Sequence, residues 1–261
     1  MRIKNFRKVA TEAVKEAGKM LMKNFNKVAI LRYKDRQDIL TDADLKAEKI
    51  IINKIKSNFP DHNIISEERG KEDLKSEYTW IIDPLDGTKH YVRKMPIFCV
   101  SIALQKNEEI IIGAIFVPAI NSLFYAEKGS GAFLNDKKIF VSRTKNLADS
   151  FIYAELPNYK LSKKVFNKYH KQLEQLFKKT YRVRAWGSGP LGLCYVALGA
   201  FESYIALNDG AKFYDIAAGT LIVKEAGGKI TDINGKKPAK GTNHLIASNG
   251  KIHNQLLKLL K

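Results

Sequence analysis

The most informative part of the sequence is the stretch Trp80-Ile81-Ile82-Asp83-Pro84-Leu85-Asp86-Gly87-Thr88. Its apolar start predicts a buried strand that ends in two carboxylates, Asp83 and Asp86. Pro84 favours an extended path, and Gly87 permits a sharp turn. Both carboxylates and the Leu85 carbonyl between them could then face one point, and such oxygen ligands suit a hard cation such as Mg²⁺. An ordinary Asp-Pro and Asp-Gly turn is the alternative.

Two further segments place acidic side chains at the ends of predicted elements. Residues 64–68 form another apolar strand, which ends in Glu67 and Glu68. Asp215 stands at the start of a predicted helix rich in small residues. Taken singly, the two glutamates could lie in a solvated turn, and Asp215 could be a helix N-cap. Three elements that end in acids are difficult to attribute to solvation in a chain with a net charge of +18.

Together these segments resemble the inositol monophosphatase family. Residues 83–88 look like the family signature Asp-Pro-Ile/Leu-Asp-Gly-Thr, and three more motifs follow the family's order and spacing. They are Thr41-Asp42-Ala43-Asp44 with Glu48, Ser66-Glu67-Glu68, and Tyr214-Asp215-Ile216-Ala217-Ala218-Gly219 followed by Glu225-Ala226-Gly227-Gly228. The similarity extends from the first predicted helix to the last.

The resemblance implies an α+β fold, layered as an αβαβα sandwich of the inositol monophosphatase and fructose-1,6-bisphosphatase type. It also implies a Mg²⁺-dependent, lithium-sensitive phosphatase that is commonly a homodimer. One ion would be held by Glu67, Asp83 and the Leu85 carbonyl. A second would lie among Asp83, Asp86 and Asp215, and a third, weaker ion would use Glu67 and water.

The resemblance also assigns catalytic and substrate-binding residues. Asp44 and Thr88 would activate the attacking water as a hydrogen-bonded pair, with Glu67 as a further catalytic residue. Backbone amides of Gly87 and Thr88 would hold the phosphate, which suits the start of a helix. The substrate would also contact Asp215.

A glycine-rich segment lies beside the substrate in this assignment. It consists of Gly187, Ser188 and Gly189 at a helix start. With Gly192 the segment also matches the Gly-x-Gly-x-x-Gly pattern of dinucleotide-binding folds, but that pattern is weak without its strand-helix-strand context.

The sequence departs from the family at several positions. The family's sugar-binding Glu, seven residues before the last metal aspartate, is replaced by Asn208, and Asp209 beside it could substitute. The loop to Asp215 is about two residues longer by motif alignment. His90 stands where Asn is frequent, and a helix-surface position is slightly preferred over one facing the site. Lys34 could approach the metal site or be a solvated loop lysine.

Composition excludes several classes of protein. The chain has 261 residues, 45% of them hydrophobic, which excludes a disordered polyelectrolyte. Two cysteines are too few for a disulfide framework and fit a reducing compartment. No targeting or membrane segment is apparent, so the sequence predicts a cytoplasmic protein. The basic charge could attract nucleic acid, anionic membrane or phosphorylated metabolites, or simply solvate the surface.

The pattern of predicted elements divides the chain near residue 148. Residues 1–147 carry the metal motifs and closely spaced strands, which suggest an antiparallel meander. Residues 148–261 alternate strands and helices, which predicts helices layered over a sheet and a subdomain that completes the site.

The predicted reaction is hydrolysis of a small phosphate monoester, with inositol 1-phosphate as the leading substrate. Metal ions and positioning suffice for this chemistry, so no nucleophilic Ser or Cys is needed. Adenosine 3′,5′-bisphosphate (3′-phosphoadenosine 5′-phosphate), fructose 1,6-bisphosphate and histidinol phosphate are alternatives within the same fold. A further alternative is contact with RNA or the transcription machinery through the basic segment Lys160–Arg184, although no nucleic-acid motif or interleaved aromatic platform is evident.

Overall fold

Two β-sheets organise the protein. A computed structural model describes residues 2–36, 38–156, 160–207, 212–238 and 244–261. The helices are α1 (Arg2–Asn24), α2 (Asp42–Asn58), α3 (Thr88–Val92), α4 (Lys163–Lys179), α5 (Gly189–Ala197), α6 (Phe213–Glu225) and α7 (His253–Leu259). The strands are β1 (Ile30–Asp35), β2 (Asp38–Thr41), β3 (Asn63–Ser66), β4 (Gly70–Glu72), β5 (Tyr78–Asp86), β6 (Cys99–Lys106), β7 (Glu109–Val117), β8 (Ser122–Glu127), β9 (Gly131–Leu134), β10 (Lys137–Ile139), β11 (Phe151–Ala154), β12 (Arg182–Arg184), β13 (Ser203–Ala206), β14 (Lys229–Thr231) and β15 (Leu245–Ser248).

The larger sheet has the order β10-β9-β8-β7-β6-β5-β3-β4, and the smaller has the order β12-β11-β13-β15-β14. The run from β5 to β10 is antiparallel, as the closely spaced strands predict, whereas β3 and β5 are parallel. Strands β1 and β2 form a separate antiparallel hairpin.

Alternation along the strands produces five layers. On the larger sheet, Trp80 and Ile82 pack with α1 and α2, whereas Ile81 faces α5 and α6 on the other side. On the smaller sheet, Tyr153 faces α5 and α6, whereas Ile152 packs against α4 and α7. The order helix–sheet–helix–sheet–helix confirms the predicted αβαβα sandwich.

Helix α6 packs closely on the larger sheet, because β7 carries a glycine at the contact. A Cβ at Gly113 would lie 2.6 Å from the Ala218 carbonyl oxygen. Any side chain at this position would therefore push α6, and with it Asp215, away from the sheet.

Several short elements were not predicted from sequence patterns, among them the β1–β2 hairpin, β9 and β10. These segments are too short to show the hydrophobic periodicity on which such prediction depends. Among the described helices, none combines the length and apolar character that crossing a membrane requires.

Candidate active site

A bulge in β5 brings Asp83 and Asp86 to the same side of the sheet. Asp83 pairs with Ser101 of β6, and Asp86 pairs with Cys99, with a register irregularity between them. Residues three apart in a regular strand point to opposite faces, but one extra residue restores a common face. The Asp83 side chain is thereby buried at the end of a strand whose apolar residues anchor it on both sides.

Gly87 turns the chain from β5 into α3. Its φ of 88° lies in the left-handed region, and a Cβ there would be 2.6 Å from the Ile97 carbonyl oxygen. Both the backbone conformation and the available space therefore require glycine. The turn places Thr88 directly after the two aspartates.

Asp215 joins the two aspartates of β5 from the first turn of α6. One carboxylate oxygen from each of Asp83, Asp86 and Asp215 lies within 4.8 Å of the other two. The Asp215 side chain also accepts a hydrogen bond from the backbone N–H of Lys212, at 2.6 Å, which fixes its orientation. Three hard oxygen donors gathered at one point are a donor set that fits a small divalent cation such as Mg²⁺.

Burial and mutual repulsion raise the pKa values of these three aspartates. Burial raises the pKa of Asp86 to about 7, and the charges of Glu155 and Glu67 add to the effect, although a hydrogen bond from Ser188 opposes it. Burial and neighbouring carboxylates likewise hold the pKa values of Asp83 and Asp215 well above their ordinary range. The site therefore concentrates negative charge that a cation would compensate.

Glu67 and Glu68 follow β3 and face two lysines. The Glu67 Oε1 atom lies 3.6 Å from the ammonium of Lys34 and 3.6 Å from that of Lys212. Lys34 also donates a 2.5 Å hydrogen bond to Glu68. Burial raises the pKa of Glu68 to about 7, even though the bond from Lys34 lowers it. Lys34 therefore contacts the two glutamates that follow β3. Glu67 is not among the three aspartates whose carboxylate oxygens converge.

Asp44 and Thr88 are within hydrogen-bond distance, as the predicted pair requires. The Thr88 hydroxyl lies 3.0 Å from Asp44 Oδ1 and 3.0 Å from the Leu85 carbonyl oxygen. Asp44 is also held by the N-cap of α2, because it accepts bonds from the backbone and the hydroxyl of Thr41. Burial raises the pKa of Asp44 to about 6, against the opposing bonds from Thr41 and Thr88.

The glycine-rich segment at the start of α5 lies between the acidic group and the smaller sheet. Ser188 donates a hydrogen bond to Asp86, and its backbone N–H donates to the Tyr153 hydroxyl at 2.9 Å. A Cβ at Gly189 would lie 3.0 Å from the Tyr204 hydroxyl and 3.6 Å from Asp215 Cβ. Ser188 and Gly189 therefore contact the acidic group directly.

His90 faces Gly187 rather than only solvent, which differs from the slight preference for a helix-surface position. A Cβ on Gly187 would lie 3.7 Å from His90 Cε1, and among the described atoms His90 Nδ1 is buried without a hydrogen-bond partner. The His90 ring therefore lies against the glycine-rich segment. Asn208 and Asp209, the predicted sugar-binding positions, lie outside the described residues.

Sequence reasoning missed Glu155 and Lys212. Glu155 follows β11 with 6% of its surface exposed, and its Oε1 atom has no hydrogen-bond partner among the described residues. That atom and Asp215 Cβ both lie within 3.8 Å of the point where a Gly189 Cβ would stand. An acid after an apolar strand, the signal that singled out Asp83, also marks Glu155. The Lys212 ammonium lies 3.3 Å from the Asp38 carboxylate. Nothing in the sequence near either residue predicts this contact.

Comparison with known proteins identifies the family. Residues 2–261 match the profile of the inositol monophosphatase family. The chain is 35% identical over 252 residues to a fructose-1,6-bisphosphatase/inositol-1-monophosphatase of Thermotoga maritima, covering 95% of this chain and 92% of that protein. It is 37% identical over 263 residues to the Nus factor SuhB of Xylella fastidiosa, covering 97% and 93% respectively.

A solved structure agrees with the sequence comparison. The extragenic suppressor protein suhB of Bartonella henselae superposes with a TM-score of 0.91 at 33% identity, over 97% of each chain. The family is metal-dependent and acts on small phosphorylated substrates, which fits the acidic group described above. The chain therefore belongs to the inositol monophosphatase family and is a phosphoric monoester hydrolase.

Proposed function

We propose that this chain hydrolyses a small phosphate monoester with the help of Mg²⁺, and that inositol 1-phosphate is the leading substrate. The observation that carries the proposal is the convergence of three aspartates from β5 and α6 beside the Asp44–Thr88 pair. This arrangement combines a cation site with a hydrogen-bonding pair that can orient a nucleophile, which is what phosphoryl transfer to water needs.

Asp83, Asp86 and Asp215 would hold Mg²⁺, with Glu67 and the Leu85 carbonyl as further ligands of two or three ions. When bound, Mg²⁺ would lower the pKa of a water molecule and neutralise charge on the phosphate. The supporting observation is the donor set itself, in which the charge of each carboxylate raises the pKa of its neighbours.

Asp44 and Thr88 would orient the attacking water, and Asp44 would accept its proton. A carboxyl whose pKa is raised to about 6 by burial is a better base near neutral pH than an exposed aspartate. The pair is held in place by the N-cap of α2, so little reorganisation is needed.

The substrate would lie between the two β-sheets. The backbone amides of Gly87 and Thr88 would bind the phosphate, since successive amides at a tight turn form an anion-binding concavity. The part of the substrate that leaves as an alcohol would be bound by Gly187, Ser188, Gly189 and Asp215. Asp209 would take the place of the family's sugar-binding Glu, which this chain lacks at position 208.

The remaining properties rest on family membership. We propose a cytoplasmic homodimer that lithium inhibits. We also propose that residues 1–147 and 148–261 act as two subdomains, the second completing a site begun by the first.

Phosphate release from a panel of esters tests this function. We expect release from inositol 1-phosphate in Mg²⁺, and a loss of at least about 100-fold in EDTA, because the triad then lacks its charge compensation. Adenosine 3′,5′-bisphosphate, fructose 1,6-bisphosphate and histidinol phosphate complete the panel. No Mg²⁺-dependent release from any of these esters would contradict the proposal.

The outer face of α4 favours a second candidate function, binding of single-stranded RNA. Six lysines on this helix are exposed, namely Lys163, Lys164, Lys168, Lys171, Lys178 and Lys179. Three aromatic side chains of the same segment, Phe166, Phe177 and Tyr181, are also exposed. Cations beside exposed rings are the usual surface for unpaired bases. The Xylella relative is named a Nus factor.

RNA binding by this face is testable without the phosphatase reaction. We expect a single-stranded RNA to bind with an affinity that falls steeply with salt, and Lys168→Glu with Lys171→Glu to weaken binding by about tenfold or more. Fluorescence anisotropy measures both effects. Asp86→Asn should leave binding intact. An RNA affinity that changes neither with salt nor with the two lysine-to-glutamate substitutions would contradict this second candidate.

A further inference from the structure

Three buried polar atoms without hydrogen-bond partners adjoin the glycine-rich segment at residues 187–189. Among the residues that the structure describes, these atoms are the Nδ1 atom of His90, the Oε1 atom of Glu155 and the hydroxyl of Tyr204. His90 lies at one end of the segment, and the other two atoms lie at its other end. Buried polar atoms in folded proteins nearly always have a partner, so a group of them beside a proposed site indicates that a partner binds there.

Glu155 and Tyr204 are held by neighbouring strands of the smaller sheet. Strands β11 and β13 are parallel, and Tyr204 lies beside Tyr153 in their register. Directly after β11, the backbone N–H of Glu155 donates to the Ile205 carbonyl oxygen at 2.9 Å, and its carbonyl oxygen accepts a hydrogen bond from the Tyr169 hydroxyl. The backbone of Glu155 is therefore fixed, whereas its carboxylate has no hydrogen bond at Oε1.

The missing side chain of Gly189 leaves a small space, the Gly189 cradle, that is bounded by Glu155, Tyr204 and Asp215. A Cβ at Gly189 would lie 3.0 Å from the Tyr204 hydroxyl, 3.6 Å from Asp215 Cβ and 3.8 Å from Glu155 Oε1. A group placed beside Gly189 can therefore reach both unpartnered atoms, next to an aspartate that the substrate would contact.

A hydroxyl group matches the two unpartnered atoms of the cradle. A carboxylate oxygen only accepts hydrogen bonds, a tyrosine hydroxyl can donate one, and an alcohol does both. Burial raises the pKa of Glu155 to about 7 and the nearby Tyr204 hydroxyl lowers it, so the two groups are close, although no hydrogen bond of normal geometry joins them. An alcohol between them would bond to both, whereas a second anionic group would be repelled by the carboxylates of Glu155 and Asp215.

We propose that Glu155 and Tyr204 determine specificity for the alcohol part of the substrate: a hydroxyl group of that alcohol enters the Gly189 cradle, donates a hydrogen bond to Glu155 and accepts one from Tyr204. The inference rests on the proposed function, and it adds a carboxylate next to β11 to the role that Asp209 has there. A site whose buried groups bond to a substrate hydroxyl discriminates strongly against an analogue without it, because those groups then stay unpaired.

Kinetics with two esters of the same ring size test this role. The values of kcat/KM are measured for inositol 1-phosphate and for cyclohexyl phosphate, which has the ring but none of the hydroxyl groups. Glu155→Gln should lower the ratio of the first value to the second by about tenfold or more, chiefly through KM for inositol 1-phosphate, because a charge-assisted hydrogen bond is lost. Tyr204→Phe, which removes a neutral donor, should lower it by about threefold or more. Gly189→Ala should lower it as well, because its methyl group would fill the cradle.

The matched control is Glu202→Gln. It makes the same chemical change at a glutamate that is also 6% exposed, but whose two oxygens already accept hydrogen bonds within the fold. Its ratio of kcat/KM values should equal that of the wild-type chain.

A binding experiment separates this inference from the proposed reaction. In the Asp86→Asn background, where no turnover is expected, calorimetry should show that Glu155→Gln weakens the binding of inositol 1-phosphate and leaves that of cyclohexyl phosphate unchanged. The same dependence in a chain whose wild type hydrolyses neither ester would refute the reaction and support the cradle. Equal losses for the two esters, unchanged binding of both, or no preference of the Asp86→Asn chain for inositol 1-phosphate over cyclohexyl phosphate would overturn the cradle even if hydrolysis occurs.

Discussion

Asp86→Asn is expected to reduce phosphate release by at least about 1,000-fold, the upper part of the range for removing one preorganised electrostatic group. Asp86 contributes one of three converging carboxylate oxygens and is positioned by the hydroxyl of Ser188. The amide keeps the shape and the hydrogen-bonding capacity of the side chain but removes its charge. Calorimetry with Mg²⁺ should show a matching loss of cation affinity.

The control for this substitution is Asp149→Asn, which makes the same chemical change at an exposed position in a short 3₁₀ turn, outside the acidic group. It should leave phosphate release and Mg²⁺ affinity as they are. If Asp86→Asn retained both wild-type turnover and wild-type Mg²⁺ affinity, the proposed role of the aspartate group would be wrong.

Stability in EDTA is expected to fall as the pH rises from about 5 to 8. Burial, followed by the charge of Asp215, raises the pKa of Glu155 to about 7 from an ordinary value of 4.5. A carboxyl with a raised pKa in the folded state binds more protons there than when unfolded, so its stabilising effect is present at low pH and is lost as the pH passes the folded value. The loss from Glu155 alone is about 3 kcal/mol at most. Asp44 and Asp86 shift in the same direction.

Glu155→Gln should therefore raise the melting temperature in EDTA at pH 8 and flatten its dependence on pH. Thermal melts followed by circular dichroism measure both. Glu202→Gln is the matched control, because Glu202 is also 6% exposed but accepts bonds from Phe151 N–H at 2.6 Å and the Thr144 hydroxyl at 3.0 Å. That variant should be destabilised at every pH. A lower melting temperature for Glu155→Gln at pH 8 would show that Glu155 supports the fold instead of straining it.

Local sequence patterns predict an antiparallel meander in the first part of the chain, helices layered over a sheet in the second, and the acidic ends of several elements, whereas the five-layer arrangement was implied by the family resemblance. The apolar residues before Asp83 and before Glu67 indicate buried strands, and the strand and helix alternation after residue 148 indicates helices on a sheet. Each of these signals is local, because it can be read from a few neighbouring residues. The parallel pairing of β3 with β5 and the shared face of Asp83 and Asp86 depend on pairing between strands, which no single segment encodes.

Contacts between distant segments were beyond such reasoning. Ser188 meets Asp86 across 102 residues, and Lys212 approaches Asp38 across 174. Ser188 alone resembles an ordinary helix cap, and Lys212 and Asp38 alone resemble solvated charges.

The bulge in β5 has a consequence for how this site can change in evolution. The orientation of Asp83 relative to Asp86 is set by the number of residues between them, and the side chain at position 85 contributes packing and a backbone carbonyl. Leu85 can therefore be exchanged for another apolar residue at modest cost. Deleting one residue here would leave the two aspartates on one face of a regular strand, but it would remove the bulge that turns the Leu85 carbonyl toward the Thr88 hydroxyl. Length, rather than identity, is the conserved quantity to expect in this segment.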